Sequence, residues 1–256
     1  MNGTGIGPWG RGMYQTEARQ WCRAAAAALV TVLCAGAVAC GSSGGRQDGG
    51  PTAETDGVPG PLSTARLTAA SFTEGEKVGA FIVSEYDLDS PFGDEYSARP
   101  ADCLPFVSLK KGTRRYGAPV AEANREVYRP DEPLRETTAV QLRSYAHGGA
   151  ARVMKALGRA GTVCRDGFTE DRSVAEAHYL DVRTLTAPRT GDEAAAFRFT
   201  VRDAGGEQKH YEYLTVVRSG STTLSFRTEI DSPKDVRGVP GSVIEDQWKK
   251  FRAATK

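Results

Sequence analysis

From about residue 62 onward, apolar and polar residues alternate in strand fashion over several stretches. This period of two predicts strands at Val78–Tyr86, Glu122–Tyr128, Thr138–Tyr145, Ala177–Leu185, Ala195–Arg202, Tyr211–Arg218 and Thr223–Ile230. In one of them Phe197, Phe199 and Val201 point to one side, and Ala196, Arg198, Thr200 and Arg202 to the other. The last three strands are joined by DAGGEQ and SGST, whose glycines suit hairpin turns, so an antiparallel meander is expected. Three segments carry helical patterns instead. One runs from Ala101 through Leu109, with Pro105 in its opening turn, where a missing N–H costs little. A second places Ala150, Val153, Met154 and Leu157 on one face ahead of Cys164. A third begins SVIEDQWKKF, with Ser242 and Glu245 as a capping-box pair and Ile244, Trp248 and Phe251 on one stripe. The predicted fold class is α+β: an antiparallel β-sheet with about three helices packed on it.

The N-terminal region follows a different pattern. Arg11, Arg19 and Arg23 precede an uncharged run, Ala24–Val38, of small and aliphatic side chains. A helix needs roughly 20 apolar residues to cross a bilayer core, and this run is shorter, so it reads as an export signal. Ala37-Val38-Ala39 supplies a small-x-small cleavage site directly before Cys40, and the stretch resembles a bacterial lipobox. That resemblance implies diacylglyceryl attachment to the Cys40 sulfur and cleavage before it. Two acyl chains suffice for stable anchoring where one gives marginal binding. Paired arginines are absent from this head, which favours export of the unfolded chain. The head is long, and initiation at Met13 would give a more ordinary one. Residues 41–61 are dominated by Gly, Pro, Ser, Thr and Asp and cannot bury enough surface to offset ordering entropy. The expected organisation is therefore a signal peptide at 1–39, a lipidated cysteine and tether at 40–61, and one extracytoplasmic domain at 62–256. A tether of about 20 residues has an r.m.s. reach of about 25 Å.

Charge narrows the partners. The chain has 33 Lys and Arg against 32 Asp and Glu, and removal of residues 1–39 takes away three arginines and one glutamate. A nearly balanced domain carries no stripe for a polyanion, so no nucleic acid is expected. Cys22 and Cys34 leave with the signal and Cys40 is lipidated, so Cys103 and Cys164 remain in an oxidising compartment. They predict one disulfide, pinning two helices together. The alternatives are two free thiols or part of a metal site, for which no histidine doublet supplies the remainder.

Cys103 in PADCLPF, Cys164 in LGRAGTVCRDGF, and TGDEAAAFRF leading to YLTVVRSGSTTLSF together resemble the extracellular sensor domain of the mycobacterial kinase PknH and similar actinobacterial lipoproteins. The likeness covers roughly residues 66–254. It implies an antiparallel sheet with helices packed against it and a cleft for a ligand. The kinase version has two disulfides where this chain can form one. This chain carries no kinase domain, so a signalling role implies a separate partner.

The catalytic patterns are incomplete. Ser108–Lys111 (SLKK) matches the Ser-x-x-Lys motif of penicillin-recognising enzymes, but the companion Lys-Thr-Gly motif is missing. The histidines are His147, His178 and His210, and the domain has no Gly-x-Ser-x-Gly elbow. The acidic stretch DLDSPFGDE (Asp87, Asp89, Asp94, Glu95) has its glycine one position late for a calcium loop, and Ala98 stands where a bidentate glutamate is required. The basic cluster KKGTRRYG (Lys110, Lys111, Arg114, Arg115) reads as a solvated loop or a weak contact with an anionic surface. The aromatic residues Tyr179, Phe197, Phe199, Tyr211, Tyr213 and Phe226 read as core first and cleft lining second. The expectation is a non-enzymatic module without metal or cofactor. It is held at the membrane by its diacylglyceryl anchor and binds or senses an amphipathic, envelope-derived small molecule. The alternative is a structural or interaction module whose partner is an envelope protein. A cleft between the sheet and the disulfide-pinned helices would favour the former, and a filled core with a flat apolar patch the latter.

Overall fold

The structure is a computed structural model, and it describes residues 60–85, 96–109, 117–131, 136–172, 175–202, 209–230 and 234–256. The signal segment, Cys40, the acidic stretch 87–95 and residues 110–116 of the basic cluster lie outside the described residues.

Among the described residues ten strands form one antiparallel sheet: β1 (Lys77–Val78), β2 (Phe81–Glu85), β3 (Ser97–Arg99), β4 (Ala121–Tyr128), β5 (Glu136–Ser144), β6 (Phe168–Arg172), β7 (Ala175–Leu185), β8 (Glu193–Arg202), β9 (Lys209–Ser219) and β10 (Thr222–Ile230). The order across the sheet is β1-β2-β4-β5-β10-β9-β8-β7-β6-β3. The C-terminal half is a continuous meander from β6 to β10, which contains the predicted one. Its last turn has two residues, with Gly220 at φ 56°, in the left-handed region that glycine adopts without strain. The N-terminal strands join this meander through the β5–β10 pair, while β3 pairs with β6 at the opposite edge.

The helices are α1 (Thr64–Ala70), α2 (Leu104–Ser108), α3 (Gly149–Val163) and α4 (Gly241–Thr255), and a 3-10 turn at Ala101–Cys103 leads into α2. The described residues hold four helices where three are expected. The additional one, α1, buries only Leu67 and Ala70, too few positions to show a helical period. Strands β1, β3 and β6 were also not predicted. The first two are very short, and β6 (FTEDR) carries Glu170 fully buried on its inward face, where alternation anticipates an apolar residue. The predicted capping box is absent: α4 begins after Pro240 with no side-chain cap, and Ser242 lies inside its first turn.

Both faces of the sheet are covered. On one, α1 and α4 place Leu67, Ala70, Val243 and Phe251 over Val83, Val127, Val140, Leu142, Leu224 and Phe226. Gln247 of α4 ties the two helices together, accepting from the Phe72 N–H (3.0 Å) and donating to the Ala70 carbonyl (2.7 Å). On the other face, α2 and α3 cover Phe168, Tyr179, Phe197, Phe199 and Leu214. Gly161 permits the close approach of α3, since a Cβ there would lie 2.7 Å from the Phe197 ring. Cys103 and Cys164 form the disulfide, with Cα atoms 5.9 Å apart, joining the start of α2 to the C-terminal end of α3 as the sequence predicts.

The space between sheet and disulfide-pinned helices is packed. Phe106 meets Phe197 and Phe199 edge-on at 4.9 and 5.0 Å, and Phe168 stacks on Tyr179 at 4.2 Å. Tyr179, Phe197, Phe199, Tyr213 and Phe226 are therefore buried core, whereas Tyr211 is half-buried beneath the Arg198 guanidinium. Exposed large apolar side chains among the described residues are Val120, Val163 and Val236. They are scattered, so neither the anticipated cleft under the helices nor a flat apolar patch is found there.

Candidate ligand cleft

A cleft of about 850 Å³ opens instead on the α4 face, at one end of the sheet. Strand register builds its floor. Ile230 of β10 pairs with Glu136 at the start of β5, and Arg129 and Phe81 lie one residue beyond the last pairs of β4 and β2. The four side chains share one row because residues opposite each other in neighbouring strands point to the same face. Arg129 pairs with Glu136 (3.4 Å), and its guanidinium lies 5.0 Å from the centre of the Phe81 ring.

The opposite wall is the chain between β10 and α4, from Lys234 to Pro240, followed by Gly241 and Ser242 at the helix start. It contributes Val236 and Val239 as apolar lining and Lys234 and Arg237 as cations. Arg237 has φ 71° and makes no ion pair among the described residues. The start of α4 adds a further positive element: the N-terminal N–H groups carry the positive end of the helix dipole, and no side chain caps them. Apolar surface and positive charge therefore meet in one concavity.

Asp235 holds this wall against the sheet. Its carboxylate accepts from the Tyr213 hydroxyl (2.5 Å), from Arg198 (2.6 Å) and from the Arg237 N–H (2.8 Å). The Tyr213 hydrogen bond, reinforced by Arg237 and Arg198 and opposed by burial, holds the Asp235 carboxyl below its ordinary range. Burial, together with the neighbouring carboxylate, pushes the Tyr213 hydroxyl up. A depressed carboxylate contributes stability above its unfolded pKa of about 3.9 and loses it as pH falls through the folded value. Asp235→Asn is expected to lower stability at pH 7 by about 1–2 kcal/mol. In urea titrations from pH 7 to 3 the gap to the wild type should close below about pH 4; a gap that stays constant to pH 3 would contradict the assignment.

The other residues singled out in the sequence lie elsewhere. Ser108 is fully buried and its hydroxyl donates to the Pro105 carbonyl of its own helix (3.2 Å), while Lys111 is outside the described residues. His147 is exposed at a left-handed turn, His178 is exposed on β7, and His210 is half-buried on β9. No metal-binding group of three or more His, Cys, Asp or Glu is found among the described residues. None of their helices is long and apolar enough to cross a membrane. The sequence reading assigned none of the cleft residues to a binding site, placing Phe81 and Ile230 in strands and Ser242 in a helix cap. Their one legible sign was the run of Lys234, Arg237, glycine and proline before α4.

Comparison with solved structures shows a fold similar to that of the extracellular domain of PknH from Mycobacterium tuberculosis. The match has a TM-score of 0.50 and 10% sequence identity, over 76% of this chain and 97% of that one. The Rv0999 ortholog from Mycobacterium smegmatis aligns over 77% of this chain and 97% of its own, with 14% identity and a TM-score of 0.35. No family model matches the chain, and no curated protein does. The likeness to the PknH domain read from the sequence thus holds at the level of the fold.

Proposed function

We propose that this protein is a membrane-anchored extracytoplasmic lipoprotein whose domain binds an amphipathic, anionic molecule of the cell envelope without turning it over. The observation that carries this reading is the composition of the cleft. Phe81, Ile230, Val236 and Val239 offer an apolar wall, while Arg237, Lys234 and the α4 N-terminus offer positive charge and Arg129 is balanced by Glu136. An acyl or prenyl tail suits the first and a phosphate or carboxylate head the second. The lipobox-like segment ending at Cys40 and the tether would keep such a cleft near lipid, and the extracellular origin of the PknH domain agrees with that location.

The full chain, purified in detergent, is expected to show co-purifying lipid by native mass spectrometry. Phosphatidylglycerol in mixed micelles should raise its melting temperature by about 5–10 °C at a hundredfold excess over Kd. Phosphatidylcholine should raise it far less, and Arg237→Glu with Lys234→Glu should abolish the difference. Absence of bound lipid and of any shift, with specific capture of an envelope protein, would favour the interaction module instead. Anchoring has a separate test: labelled palmitate should enter the wild type and be lost in Cys40→Ala, and labelling that persists in the variant would end the lipoprotein reading.

A further inference from the structure

We infer a second binding site, for an acidic sugar unit, in a cavity of about 470 Å³ at the C-terminal end of α4. Its size falls within the range of about 300–1,000 Å³ typical of small-molecule sites. Helix α4 has 15 residues and is therefore about 22 Å long, so this cavity and the cleft at its N-terminal end hold separate ligands. Two turns at one end of the sheet complete the cavity: the β7–β8 connection, with Arg189–Asp192, and the end of β9 at Ser219.

These turns are tied to each other. The Asp192 N–H donates to the Arg218 carbonyl (2.8 Å), and the Asp192 carboxylate accepts from the Gly220 N–H (2.7 Å) and from Arg218 (3.1 Å). Gly191, at φ 76°, lies so close to β9 that a Cβ would stand 2.4 Å from the Arg218 carbonyl oxygen. Arg218 also pairs with Glu193 (3.3 Å), so it takes up both acidic groups of the turn. Arg189, Arg252 and Lys256, by contrast, line the cavity and make no ion pair among the described residues. The C-terminal end of α4 carries roughly half a negative charge. Three cations outweigh it, so the cavity selects an anion.

Trp248 defines the rest of the ligand. It packs against the core under α4 and stacks on Phe251 with ring centres 5.9 Å apart, yet it stays half-buried and lines the cavity. The Arg252 guanidinium lies 5.9 Å from the centre of the Trp248 ring, at the outer limit of a cation–π contact of about 6 Å, so it flanks the ring. Apart from Trp248 and Gly191, every lining residue described is polar or charged, and Thr190, Ser219 and Thr255 supply hydroxyls. A single aromatic surface in a polar cavity excludes an acyl tail and fits a sugar. The C–H bonds of the sugar ring meet the negative aromatic face, and its hydroxyls meet the polar rim. A carboxylate or phosphate on that sugar falls to Arg189 and Arg252, since guanidinium groups bind either anion through paired N–H donors.

This inference is independent of the cleft. Trp248 reports on the site directly once the other two tryptophans of the full chain are replaced, by Trp9→Phe and Trp21→Phe. Glucuronate and glucose 6-phosphate at millimolar concentration are the probes, with glucose as the neutral sugar and inorganic phosphate as the bare anion. At least one acidic sugar is expected to change the Trp248 fluorescence saturably, and the tighter of the two identifies the anion as carboxylate or phosphate. Glucose and inorganic phosphate should each bind at least about tenfold more weakly. Arg189→Gln with Arg252→Gln should weaken the acidic sugar about tenfold or more. Both side chains are exposed, so this double variant should fold as the unsubstituted domain does. Arg237→Glu should leave binding unchanged, which separates this site from the cleft. No fluorescence change with either acidic sugar, equally tight binding of glucose or of phosphate alone, or undiminished binding by the double variant would overturn the site.

Discussion

Glu212→Leu is expected to destabilise the protein by about 3–5 kcal/mol, a large share of the 5–15 kcal/mol typical of a folded domain. Arg227 and Glu212 face each other across β10 and β9 beneath α2, with side chains 3% and 6% exposed. Removing the carboxylate leaves a buried guanidinium held by the Tyr179 hydroxyl and the Phe106 carbonyl, with the more exposed Glu229 carboxylate 3.8 Å away as its remaining counter-charge. The double variant Arg227→Met, Glu212→Leu should recover most of the loss, because a buried pair gains little over apolar residues of similar volume. Tyr179→Phe should cost less, about 1–2 kcal/mol, although its hydroxyl donates to Glu170 at 2.9 Å as well as to Glu212. Urea denaturation of the four proteins checks the order; a double variant as unstable as Glu212→Leu would show that the network, rather than the lone charge, carries the effect.

Loss of the disulfide comes next in size. Cys103→Ala with Cys164→Ala is expected to cost about 2–4 kcal/mol, since the bridge closes a loop spanning 61 residues and chain entropy alone predicts about 4 kcal/mol. Both cysteines are fully buried, so the native protein should resist alkylation until it is reduced and unfolded. Non-reducing peptide mapping should recover the linked pair. The bridge fixes the start of α2 to the end of α3, and these pack over the Phe106 cluster. Near-UV circular dichroism of the variant should therefore weaken before far-UV signal does. A loss below about 1 kcal/mol would mean that aromatic packing, not the bridge, holds the helices.

The elements legible in the sequence were those whose signal is local. From β8 to β10 the strands are long and carry alternating apolar residues, and the glycines of DAGGEQ and SGST mark the turns, so that part of the meander could be read directly. Helix α3 buries Ala150, Val153, Met154 and Leu157 as their spacing requires. The disulfide followed from counting cysteines. By contrast α1, β1 and β3 are short and bury at most two apolar side chains each, so their structure comes from what they pack against.

What the sequence by itself determined is thus the α+β class, the C-terminal meander, the aromatic core and the cysteine pair, because periodicity and composition act over a few neighbouring residues. Tertiary structure alone decided that β5 pairs with β10 and that β3 crosses to the far edge, since pairing between distant strands leaves no local trace. It also decided burial on the polar side of the central strands. Alternation assigns Gln141, Arg143, Ser225 and Arg227 to one face but cannot say whether that face meets water, and here it does not. The cleft has the same origin: Phe81, the neighbouring pair Arg129 and Glu136, and Ile230 come from distant parts of the chain and meet because the register of four strands brings them into one row.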